Sequence, residues 1–159
     1  MRQSSAFRAI GLATLVAGCL DITSAFVIWT MKGIPLARGL RGIAAGLLGR
    51  EMALDGGAGT AAFGLALHFF IMFGVATAFY AAGRALPPLV RRPILSGIIY
   101  GPLVYLVMYW VVVPLSRVGP RPHSISNDVP AILIHIFLIG MPIALIVSRF
   151  SQPTPEQPQ

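Results

Sequence analysis

A chain of 159 residues that is 56% hydrophobic and only 11% charged cannot cover itself with polar surface, and a mean hydropathy of +0.79 excludes a water-soluble globule. The net charge of +7 would suit a nucleic-acid binder in a soluble protein. Here the basic residues fall mostly in loops or near the ends of apolar runs, where they set topology and meet anionic lipid, so no nucleic-acid partner is expected. The single cysteine, Cys19, excludes an intrachain disulfide and any cysteine-based metal cluster.

The amino end carries Arg2 and Arg8, and an apolar run then extends from Ala9 to about Met31, the roughly 20 residues that a spanning helix needs. Leu15-Val16-Ala17-Gly18-Cys19 also fits a lipoprotein signal cleaved before Cys19. The sequence stays apolar from Ile22 to Thr30, which favours an uncleaved helix. Within it lies Asp21, whose carboxylate at bilayer depth costs about 2.5 kcal/mol or more unless it faces the bundle with a partner or holds a proton.

The next segment, about 36–54, carries Gly39, Gly42, Gly46 and Gly49 on one helical face, a small-residue seam that admits a second backbone. With Arg38, Arg41 and Arg50 among its leucines it is too charged and too short to span, so an interfacial or re-entrant helix packed on the bundle is expected. Asp55-Gly56-Gly57 ends it. Further spans are predicted at about 60–83, 94–113 and 129–150. Pro87-Pro88 closes the second, Gly97 and Gly101 form a packing pair in the third, and Asn127 or Asp128 is available to cap the fourth. Pro142 predicts a kink, and 151–159 reads as a disordered tail. Together this is an all-α polytopic membrane protein of one domain, with four transmembrane helices and one glycine-rich interfacial helix. Lys and Arg divide evenly between the two sides; the short second loop, with Arg84, Arg91, Arg92 and no acid, places both ends in the cytoplasm.

Two histidines lie in membrane-grade sequence, His68 in Leu67-His68-Phe69-Phe70 and His135 in Ile134-His135-Ile136-Phe137. Ile34-Pro35-Leu36-Ala37-Arg38 and Val113-Pro114-Leu115-Ser116-Arg117 precede them, which suggests two helix-pair repeats about an axis along the membrane normal. Counting along ideal helices puts Asp21, His68 and His135 at similar depth. Three functions follow from such a polar intramembrane cluster. His68 and His135 could clamp a haem b, with Arg117 or Arg121 on its propionates. Asp21 and a histidine could exchange protons along a solute path, in a transporter or channel. Or the polar groups fix helix register in an accessory protein. An enzyme is not expected, since the chain has no HExxH, nucleophile elbow or phosphate loop.

The stretch His68 to Tyr80, then Leu86-Pro87, Gly97, Gly101, Met108, Pro114-Leu115, Asn127 and His135, resembles the YagU-like family of small bacterial inner-membrane proteins. The resemblance covers about residues 60–150. It implies a multi-helix bacterial inner-membrane protein; the family has no assigned biochemical activity, so the resemblance carries over no reaction and no catalytic residues, and the role expected for the chain is non-enzymatic, accessory or stress-related. The glycine seam adds self-association, or docking on a larger membrane complex, as an expectation.

Overall fold

The computed structural model describes residues 2–151, with side chains described from Ser5 onward; the predicted tail beyond Ser151 lies outside the described residues. The helices are α1 (Arg2–Met31), α2 (Leu36–Leu48), α3 (Arg50–Asp55), α4 (Ala58–Ala85), α5 (Pro87–Arg91), α6 (Pro93–Leu115) and α7 (Ile125–Ser151). Four of these, α1, α4, α6 and α7, are long and apolar enough to cross a membrane.

Their side-chain patterning explains how they pack. In α1 the small residues Ala9, Ala13 and Ala17 recur every fourth position and are buried, while Leu12, Leu15, Val16 and Leu20 point outward. Water would favour the reverse; an outward leucine face with an inward alanine face suits a bundle solvated by lipid. Helix α1 packs on α4 and α7, and α7 packs on α6. Away from the α1–α2 end, Tyr100 on α6 donates a 2.7 Å hydrogen bond to the Val75 carbonyl of α4, and its ring meets Phe79 at 4.9 Å. Ala13, Ala17, Met72, Ala76, Phe79, Val104, Ile139 and Ile143 fill that half of the bundle as one core.

Helices α6 and α7 approach through glycine. A Cβ on Gly97 would stand 2.6 Å from the Met141 Cα, and one on Gly101 2.5 Å from the Ile136 Cα, so neither position admits a side chain. Gly140 faces both of these glycines from α7. Each helix also contains one π-helical turn, Met108–Val112 in α6 and His135–Gly140 in α7. In each, the closing amide bonds five residues back, Val113 to Met108 and Met141 to Ile136, immediately before Pro114 and Pro142. Proline removes one amide and crowds the carbonyl four residues earlier, and the wider turn relieves that crowding.

Several expected details differ. The helix expected over 36–54 is two helices, because Gly49 takes a φ of 87°, which side chains rarely adopt. Its close approach to α4 comes from Leu40 and Ala44 against Gly64 instead of from the glycine face: Gly39 lies under the Trp29 ring, a Cβ on Gly46 would stand 3.8 Å from the Ser116 Cβ, and Gly42 has open space above it. Helix α7 begins at Ile125, earlier than about 129, with Ser124 at the N-cap position; Pro130 is therefore inside the helix, and Asp128 is free for another partner.

Candidate functional site

On α1 the buried alanine face continues directly into Asp21, four residues after Ala17, so the carboxylate points into the bundle. From α4, His68 comes to meet it, with Nδ1 4.0 Å from Asp21 Oδ2. The other ring nitrogen of His68, Nε2, lies 3.0 Å from the Gly18 carbonyl oxygen. A carbonyl only accepts, so Nε2 carries the proton, and in a neutral ring Nδ1 turns its lone pair toward Asp21. Such a facing pair is complete only when it holds one further proton, on the carboxyl or on the ring.

His135 sits in the π turn of α7. Its Nδ1 donates to the Ala131 carbonyl at 2.8 Å, which fixes the opposite tautomer and leaves Nε2 without a protein partner among the described residues. The π turn that carries His135 packs against α1, the helix that carries Asp21. The structure thus gathers Asp21, His68 and His135 around one interior region, although no three His, Cys, Asp or Glu side chains among the described residues stand close enough to hold a metal ion.

The region continues outward through α6. The Tyr105 ring meets the His135 ring edge-on at 5.4 Å, and its hydroxyl donates to Asp128 Oδ1 at 2.9 Å. Asp128 Oδ2 lies 3.6 Å from His123 Nδ1, and the His123 ring stacks on Trp110 at 4.4 Å. Beside this chain of groups opens a cavity of about 950 Å³, bounded by the end of α1, by α2 and α3, by the loop before α7 and by Tyr105. Asp21 keeps 24% of its side-chain surface accessible, against 10% for His68, and neither residue lines this cavity.

A bis-histidine haem does not fit these residues. Nε2 of His68 is tied to the Gly18 carbonyl, Nδ1 faces Asp21 at 4.0 Å, and the Phe69 ring fills the space over Gly18. Arg121 borders the outer cavity, whose lining includes neither His68 nor His135.

Sequence reasoning missed Tyr105, Asp128 and His123 as one connected set, because a tyrosine near the end of an apolar span and an acid near a helix start each have an ordinary role. The intramembrane glycine Gly140 was equally legible but had no visible partner. No family model, curated protein or solved structure matches the chain.

Proposed function

We propose that the protein is a multi-pass component of the bacterial inner membrane, non-enzymatic and accessory, whose central Asp21–His68 pair with neighbouring His135 takes up and releases a proton. The observation that carries this reading is the 4.0 Å approach of a carboxylate to an imidazole nitrogen whose partner nitrogen is already tied to Gly18. A buried pair of this kind is costly to maintain for packing alone, since an apolar pair of equal volume does that without desolvation. The bilayer is its immediate partner. The resemblance to YagU-like proteins supports the inner membrane, and the acid-free Arg84–Arg92 loop supports cytoplasmic ends. The matched Pro35 and Pro114 segments, each ahead of its histidine, support the two-fold helix-pair repeat.

Infrared difference spectroscopy of the protein in lipid, between about pH 5 and 8, tests the proton reading. A carboxylic-acid band that changes across this range and disappears in Asp21→Asn is the expected result. A spectrum unchanged by pH, or a band that survives in Asp21→Asn, overturns it.

The open cavity, which reaches the cluster through Tyr105 against His135, favours a second reading, proton-coupled movement of a small solute. In that case Asp21→Asn abolishes proton-coupled flux in liposomes while the fold persists.

A further inference from the structure

We infer that the outer cavity is a binding site for a small organic anion with an apolar body. Its size, about 950 Å³, is that of a small-molecule site, and its contents are asymmetric in charge. Lys32 at the end of α1, Arg50 at the start of α3 and Arg121 in the loop before α7 all border it, each from a different segment. None of the three makes an ion pair among the described residues. The one acid bordering the cavity, Asp128, is already engaged by the Tyr105 hydroxyl and faces His123. An anion entering the cavity therefore meets three unpaired cations and no free carboxylate.

The inner wall is of different character. Ile28, Ala131, Ile134 and the ring of Tyr105 form it, and Tyr105 is offset-stacked on Tyr109 at 5.3 Å, giving a flat aromatic surface. A ligand with its charge at the rim and an apolar or aromatic body against this wall satisfies both halves. Inorganic phosphate would leave the wall uncovered; a neutral hydrocarbon would leave the cations unused. The shared chemistry is an organic anion, from solution or from an anionic lipid whose headgroup reaches the rim.

The wall also touches the proton site, since the Tyr105 ring lies on His135. Occupancy of the cavity is consequently coupled to protonation of the cluster; this coupling, unlike binding itself, rests on the reading proposed above.

The test uses benzoate as the probe and benzamide as its neutral counterpart, with the whole protein in phosphatidylcholine nanodiscs, measured by saturation-transfer NMR. Benzoate is expected to bind and benzamide not. Arg50→Gln with Arg121→Gln is expected to weaken benzoate roughly tenfold while leaving thermal unfolding unchanged, because both side chains are exposed. A parallel arm replaces part of the lipid with phosphatidylglycerol. Unaltered benzoate binding identifies a soluble ligand, and displacement of benzoate by phosphatidylglycerol, lost in the double variant, identifies the headgroup. Equal signals for benzoate and benzamide, or binding indifferent to both arginines, overturn the inference. Asp21→Asn separates the two proposals: it removes the pH dependence of benzoate affinity but not the binding. Loss of the infrared response with benzoate binding intact defeats only the proton reading, and the converse defeats only this one.

Discussion

At the scale of single residues, the pair between Asp21 and His68 determines both cost and chemistry. Each group alone in the interior is a liability, because removing one partner leaves the other buried and uncompensated. His68→Ala is therefore expected to destabilise the protein by about 2–5 kcal/mol, combining a cavity with an orphaned carboxyl. Adding Asp21→Asn to His68→Ala should recover part of that loss, with a coupling of roughly 1–3 kcal/mol. Thermal unfolding of the two single variants and the double variant measures this directly; strict additivity would mean that the residues do not interact. Both residues stood out in the sequence, since ionisable groups inside apolar runs have few ordinary explanations. Their tautomers did not. Those depend on which backbone carbonyl each ring finds, Gly18 across a helix pair for His68 and Ala131 one turn back for His135, and only the packing decides that.

At the scale of elements, the four long helices were legible because twenty apolar residues in a row admit few alternatives, and their ends moved by a few residues, except that the first begins at Arg2 instead of Ala9. The glycines were legible as a class but not in their use. Gly97 and Gly101 are sealed against the α7 backbone, whereas Gly42, part of a more regular seam, faces open space. The sequence seam marks a face, and the neighbour's position decides whether that face is used; here Leu40 and Ala44 present the contact to Gly64. Gly101→Val is expected to cost about 1–3 kcal/mol or more, and Gly74→Val, where nothing stands within 4 Å, to cost far less. Side-by-side melting curves in detergent check the contrast. The π turns were not readable in advance. Pro142 announced distortion, but a kink and a widened turn satisfy the same missing amide, and His135 lies in the second.

At the scale of the whole molecule, the two halves of the bundle are built differently. One is packed solid by Met72, Phe79, Ile139 and Ile143 and is tied across by Tyr100 and Val75. The other splays around the cavity, with α2 and α3 along its edge. The protein is thus open at one end and packed at the other, and Tyr105 on the cavity's inner wall lies against His135. On the proton reading proposed above, the cluster is expected to equilibrate with the compartment at the mouth and not with the other. In vesicles with the protein inserted one way round, acidifying the mouth side should change the Asp21 carboxyl band at once, and acidifying the opposite side should leave it unaltered until the gradient leaks away. A response to both sides would mean that the packed half opens. If it stays shut, the molecule reads the acidity of one compartment alone, and the membrane itself supplies the reference against which that reading is made.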